Sequence, residues 1–201
     1  MSQIFDRQIL DYLARKENLS LALEIGNYAV QLRRELFEKF WTRVQDAIND
    51  TRPNGRGADE FVFRKSGAMN GEYAWLGAIP KAAAARDQHL AFTVEHENFA
   101  DHYDLYVGLR WARGVPASDP RYERAPLRKL KERLVADRWE FWAPAYVCGR
   151  YVQQFPSPEN FLCVFADDPA GVLEPLATAF WDMVRDTEAD VAAINKVVVP
   201  N

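Results

Sequence analysis

The sequence predicts an α+β fold, in which long helices near the two ends of the chain pack against an antiparallel meander of four to five strands. Two observations predict it. Apolar residues recur at steps of three or four near both ends of the chain, which is the period of an amphipathic helix. Between these segments, runs of alternating apolar and polar residues are separated by turn residues, as in a sheet with one covered face.

The first quarter of the chain carries the longest helical pattern. Residues 3–16 form a short amphipathic segment, and we treat residues 1–18 as a candidate helical arm. Residues 19–49 form one long predicted helix, with Asn18 or Ser20 as its N-cap. The apolar stripe of this helix consists of Ile25, Ala29, Leu32, Leu36, Phe40, Val44 and Ile48. A proline and two glycines follow directly and end the helix.

Four strands are predicted in the middle of the chain. They cover residues 61–63, 72–79, 89–97 and 102–111. Residues 66–71 join the first two as a hairpin loop, because the Asn-Gly pair in that loop readily adopts positive φ. Short connections between successive strands favour an antiparallel order.

The last third of the chain returns to helical patterns. The pattern at residues 126–138 predicts a helix with a proline in its first turn, and the pattern at residues 170–196 predicts the long final helix. The aromatic stretch 139–155, which a proline and a glycine interrupt, receives no assignment. The apolar run at residues 161–165 predicts a short strand. Because the tryptophans are spread along the whole length, we expect residues 1–201 to form a single domain.

Composition and charge narrow the functional classes. The chain has 25 Lys and Arg against 29 Asp and Glu, a net charge of −4, and 48% apolar residues. The mild acidity, the two cysteines, and the lack of a leader pattern or of an apolar run of ~20 residues predict a cytoplasmic protein with free thiols and no membrane span. The charge is uneven, since residues 121–150 have a net charge of +4 and the remainder −8.

All three histidines fall between residues 89 and 102, close to several carboxylates. On a strand, Glu95 and Glu97 share one face and His96 points to the other, while His102 follows a turn and can approach Glu97 or His96. One interpretation is a metal or acid–base site, with Asp101 and Asp104 adding negative charge beside it. The other is a solvated strand face, which we favour because structural zinc sites have tighter ligand spacing.

The sequence lacks the motifs of several classes of enzyme. No Asp or Glu has Lys two positions later, so the acid-x-Lys motif of two-metal nucleases is absent. No Gly-x-Ser-x-Gly or Gly-x-x-x-x-Gly-Lys occurs either. Cys148 lies beside Gly149 and Arg150, but no histidine is identified as its base. We therefore predict no catalytic residue, no cofactor and no resident metal.

The basic segment is the best functional feature of the sequence. Cations neutralise phosphates and aromatic rings stack on unpaired bases, so this segment is a candidate nucleic-acid surface. Its contact residues would be Arg124, Arg128, Lys131, Arg138, Trp142 and Arg150. The alternative is that the leucines and aromatic residues pack into the core and the cations form its solvated face.

The final helix carries the opposite charge. Acidic residues recur at multiples of four on a face away from its apolar stripe, and they are Glu174, Asp182, Asp186 and Asp190. Such a row of carboxylates can attract a basic protein partner through electrostatic steering. The alternative is an ordinary solvated outer face.

Three segments suggest a family resemblance. They are Leu-Arg-Arg-Glu-Leu-Phe-Glu-Lys-Phe-Trp at 32–41, Asp-Leu-Tyr-Val-Gly-Leu-Arg at 104–110, and Arg-Trp-Glu-Phe-Trp at 138–142. Over residues ~20–196 the chain resembles the non-catalytic C-terminal half of bacterial and phage PD-(D/E)XK nuclease-superfamily proteins. The nuclease half and its acid-x-Lys motif are absent, so no catalytic residue is carried over. The resemblance implies a free-standing accessory module in bacterial defence or phage counter-defence.

These observations favour a non-enzymatic binding module that acts on a nucleic-acid or protein surface. The alternative is a metal-dependent hydrolase that uses Glu95, His96, Glu97 or His102. A third hypothesis is a homodimer whose exposed aromatic residues form its interface.

Overall fold

We describe the fold from a computed structural model, which describes residues 3–56, 60–66, 73–84, 89–98, 102–111, 125–136 and 146–196. The described segments form five helices and one five-stranded sheet. Of the predicted hairpin loop at residues 66–71, only Ser66 lies within the described residues.

The N-terminal pattern forms two helices. They are α1 (Gln3–Leu13) and α2 (Lys16–Asp50), a helix of 35 residues. The predicted range of α2 was short by three residues at its start and one at its end, which is the usual uncertainty of helix ends. The Thr51 N–H caps the helix by donating to the Ala47 carbonyl. Only the second half of α2 is buried, through Phe37, Phe40, Trp41, Val44 and Ile48.

The sheet is an antiparallel meander in chain order. Its strands are β1 (Phe61–Lys65), β2 (Tyr73–Pro80), β3 (Leu90–Asn98), β4 (Tyr103–Trp111) and β5 (Tyr146–Phe155). A short 3-10 turn, Lys81–Ala83, follows β2. The α+β prediction is confirmed, and part of the unassigned stretch 139–155 is the fifth strand.

The prediction of a strand at residues 161–165 is wrong, because this segment lies in helix α4 (Pro158–Asp167). The Ser157 hydroxyl caps the helix by accepting from the Asn160 N–H at 3.1 Å, and Pro158 occupies the first turn, where it costs no hydrogen bond. A short apolar run fits a strand or a buried helix equally well. The serine–proline pair before it was the local signal for a helix.

The remaining helices complete a layer on one face of the sheet. They are α3 (Ala125–Ala136) and α5 (Pro169–Lys196). The apolar side of α5 packs on β3 and β4, and the second half of α2 packs beside α5. The Trp181 indole N–H donates to the Ile48 carbonyl at 2.9 Å, which ties α5 to the end of α2. Within the described residues, no helix combines the length and apolarity needed to cross a bilayer.

We call the sheet face that carries Phe92 and Val94 the inner face, because these residues belong to the core shared with the helices. The opposite, outer face carries Trp75, Glu95 and Tyr106, which stand side by side on β2, β3 and β4. Glu95 and Tyr106 are nevertheless buried. The outer face therefore buries polar groups, and each of them needs a partner.

Candidate functional site

His96 is a core residue and lies on the inner face of β3. Its ring contacts the rings of Phe37, Trp41 and Tyr103 at centroid distances of 5.6, 5.5 and 5.0 Å. The Tyr103 hydroxyl and His96 Nδ1 share a hydrogen bond of 2.7 Å, and burial raises the pKa of Tyr103 well above its usual value. The expectation that His96 lies on a solvated strand face is wrong. The aromatic core holds this imidazole away from the carboxylates of the outer face.

Glu95 is buried on the outer face, where we also expected a solvated strand. Its Oε2 accepts from Arg110 Nη1 at 3.2 Å and from the Tyr106 hydroxyl at 3.3 Å. The Arg110 guanidinium lies over the Trp75 ring, 5.1 Å from its centroid. A buried carboxylate is tolerated when it is paired and hydrogen-bonded, and these contacts supply both. Sequence reasoning missed Arg110, although its position on an alternating strand placed it on the same face as Glu95.

Three potential metal ligands come together at the end of this face. Glu97 on β3 is directly opposite Asp104 on β4, and His102 comes two residues before Asp104. One ligand atom from each residue lies within 4.8 Å of the other two, and His102 Nε2 is 3.9 Å from Asp104 Oδ2. Two carboxylates and an imidazole are a donor set suited to a divalent cation. The prediction that His102 can approach Glu97 is confirmed, and Asp104 joins them as a candidate ligand.

Asp104 is the most enclosed of the three groups. Burial raises the pKa of its carboxyl, although the nearby His102 and a hydrogen bond from Gln154 act in the opposite direction. Burial dominates because the charged form loses hydration that these two partners only partly replace. A cation bound here would favour the ionised carboxylate.

The predicted nucleic-acid surface is partly described. Arg128 is exposed on α3 and lies 3.9 Å from Glu132, while Lys131 and Arg150 are partly buried. Arg124, Arg138 and Trp142 lie outside the described residues. No described contact joins Arg128, Lys131 and Arg150 into one patch.

The predicted acidic row lies on α5, and arginine side chains form ion pairs with most of its carboxylates. Arg133 on α3 pairs with the Asp190 carboxylate and also donates to the Asp186 carbonyl at 2.9 Å. Arg185 lies 2.8 Å from Asp182 and 3.2 Å from the Asp186 carboxylate. Glu174 is exposed. These contacts reduce the net negative charge that the row presents to a partner.

In the part of the chain that the structure describes, nearly all exposed large apolar side chains lie on α1 and the first half of α2. From here on, 'the helical arm' means residues 7–36, a range that extends beyond the arm predicted at residues 1–18 into the first half of α2. Eleven large apolar side chains of the arm are at least 36% exposed, and they are Ile9, Leu10, Tyr12, Leu13, Leu19, Leu21, Leu23, Ile25, Tyr28, Val30 and Leu32. In the rest of the described chain, Val164 alone joins this class. Sequence reasoning predicted the apolar stripe of α2 and did not foresee that half of it faces solvent.

An apolar groove of about 360 Å³ lies where the arm joins the rest of the protein. Leu32 and Leu36 line it from α2, and Leu162 and Cys163 line it from α4. Arg33 Nη1 bonds to Glu159 Oε1 at 3.0 Å beside it. The groove extends the apolar surface of the arm onto α4.

Comparisons with protein-family models, with curated proteins and with solved structures find no match for this chain.

Proposed function

We propose that the protein is a non-enzymatic binding module and that the helical arm is its docking surface for another protein. One observation carries the proposal: eleven of the twelve exposed large apolar side chains in the described chain lie on the arm. Apolar patches of this extent are rare on soluble monomers and mark interaction surfaces, because water disfavours them. The bacterial defence setting that the sequence resemblance implies belongs to the same proposal.

The lack of cations in the central stretch of the arm favours a protein over a nucleic acid as the ligand there. From Asn18 to Leu32 the single charged residue is Glu24. Nucleic-acid binding depends on cations that neutralise phosphates, and this stretch offers none. Residues such as Leu23, Ile25 and Tyr28 are suited to packing against apolar side chains of a partner.

A pair of matched variants tests the docking surface. Ile25→Glu with Leu32→Glu places two carboxylates on the apolar side of α2, and we expect it to abolish association with protein partners. Ser20→Glu with Asn27→Glu adds the same charge to exposed polar positions of the same helix and serves as the control. Protein that is retained by the tagged chain in extracts of its native host would be quantified for both. Equal retention by the two variants would contradict the proposal.

The nucleic-acid version has its own test. Binding of single- and double-stranded oligonucleotides would be titrated against salt, with Arg128→Ala/Lys129→Ala as the variant. Binding through phosphate contacts weakens steeply as salt rises, and each lost contact reduces the slope. Salt-sensitive binding that the variant weakens would move the proposed ligand from a protein to a nucleic acid.

A second candidate function is metal-dependent hydrolysis, which the cluster of Glu97, His102 and Asp104 favours. A divalent cation held there would polarise a phosphoryl or carbonyl oxygen or activate a water molecule. Titration calorimetry with Mn²⁺ should then show binding that Glu97→Gln and Asp104→Asn abolish. Hydrolysis of a simple phosphodiester should depend on the same residues. Without such binding, this candidate is excluded.

A further inference from the structure

We propose that the partner that covers the helical arm is a second copy of this chain, docked antiparallel to the first. The inference rests on the proposed function of the arm and adds the identity of its partner. The observation behind it is a seam along α2 that is complementary to its own reverse, because short side chains then come opposite long ones.

The seam follows the spacing of a coiled coil. Its members recur at alternating steps of four and three residues, and they are Asn18, Ala22, Ile25, Ala29, Leu32 and Leu36. This repeat keeps one stripe of a helix facing a partner helix over several turns. Ile25, Ala29 and Leu32 of the seam are exposed, and Leu36 at its base is partly buried. Asn18 and Ala22, at the other end, are also partly buried, so the seam is fully exposed from Ile25 to Leu32.

The order of side-chain sizes favours an antiparallel partner. Antiparallel pairing about a two-fold axis near Asn27 places Ile25 opposite Ala29 of the second copy and Leu32 opposite Ala22 of the second copy. Every such layer then contains one small and one large side chain, which fills the space evenly. Parallel pairing would place Leu32 against Leu32 and Ala29 against Ala29, and layers would be alternately crowded and under-filled.

The flanks of the seam do not oppose this arrangement. The same axis brings Tyr28 next to Tyr28 of the second copy, and Leu21 next to Glu35 of the second copy. Glu24, the single charge between Asn18 and Leu32, lies on the opposite, polar side of the helix, so no like charges meet between these limits.

Five of the eleven exposed large apolar side chains of the arm lie in or beside the seam, and they are Leu19, Leu21, Ile25, Tyr28 and Leu32. Leu23 and Val30 lie on another side of α2. Because a standard interface buries roughly 800 Å² per partner, the second copy must also cover residues beyond the seam. The same register brings the first turn of α2 from the second copy beside Leu36. The groove lined by Leu36, Leu162 and Cys163 lies there, so the interface continues onto α4.

A size-swap experiment tests the antiparallel copy. Sedimentation equilibrium of the full chain should show a monomer–dimer equilibrium. Ile25→Ala and Ala29→Ile should each weaken the dimer about tenfold or more, because one creates cavities and the other overpacks the seam. The double variant should recover most of the lost affinity, because each layer again has one small and one large residue. Far-UV circular dichroism would verify that all three remain folded.

Three outcomes overturn the inference. They are a monomer at all concentrations, a dimer that both single variants leave unchanged, and a double variant that is no better than the singles. A monomeric chain that still retains a host protein through the apolar side of the arm would refute the second copy and keep the proposed binding function. If no arm variant weakens either dimerisation or the retention of a host protein, the proposed function itself is refuted.

Discussion

Glu95 and His96 are adjacent in the chain but belong to opposite faces of the sheet. The imidazole of His96 is enclosed by aromatic rings of the core, whereas the Glu95 carboxylate bonds to Arg110 on the outer face. Both are at most 1% exposed. Each therefore has a structural partner of its own, and the pair cannot act on one ligand.

Arg110→Met should destabilise the protein strongly at neutral pH. Removal of the guanidinium leaves the Glu95 carboxylate buried without its cation, which costs about 3–5 kcal/mol in comparable pairs. Chemical denaturation at pH 7 would measure the loss. Adding Glu95→Gln to the variant should recover much of the stability, because no charge is then left buried. A double variant that is no more stable than Arg110→Met would show that Arg110 acts by packing alone.

Tyr103→Phe should cost about 1–3 kcal/mol, because the hydrogen bond to His96 Nδ1 is lost inside the core. The phenyl ring keeps its stacking on Phe161, whose centroid is 4.0 Å away, so packing is preserved. Tyr12→Phe, at an exposed position of the arm, is the matched control and should leave the unfolding free energy unchanged. Equal effects of the two substitutions would refute the role of the hydroxyl.

Asp104→Asn should raise the melting temperature at pH 7 in a buffer that contains a chelator. Burial raises the pKa of the Asp104 carboxyl in the folded protein, so its protonated form is favoured by folding. Stability from this group is present below its ordinary pKa of 3.8 and is lost as the pH rises through the folded value. The difference in melting temperature between the variant and the parent protein should therefore disappear at acidic pH. A variant that is less stable at pH 7 would contradict this account.

Gly77→Ala should destabilise the outer face by about 1–3 kcal/mol through overpacking. A Cβ at this position would lie 2.8 Å from Cζ3 of Trp75, so the indole that stacks with Arg110 must move. The unfolding free energy would be measured again in a Trp75→Val background. The glycine substitution should cost little there, and an undiminished cost would exclude Trp75 as the cause.

Local patterns predicted most of the fold, whereas the site depends on long-range pairing. The period of three to four residues defines α2 almost completely, but the pattern is the same whether a partner helix, the core or water faces the stripe. The wrong strand prediction at residues 161–165 has a different cause, because a run of five apolar residues is too short to distinguish a strand from a helix. The turn between β3 and β4 predicted that Asp104 lies beside this cluster, but its position directly opposite Glu97 depends on the strand register, which the local pattern does not define.

Site-specific photo-crosslinking tests the central claim, that the arm is a protein-docking surface, most directly. A photoreactive benzophenone amino acid would replace Tyr28 on the arm, or Lys129 on the exposed side of α3, and the host cells would be irradiated. We expect position 28 to yield a discrete protein adduct, whose mass is that of two copies of the chain if the arm pairs with itself, and position 129 to yield none. An absence of protein adducts at position 28, or equal adducts at both positions, would contradict the account.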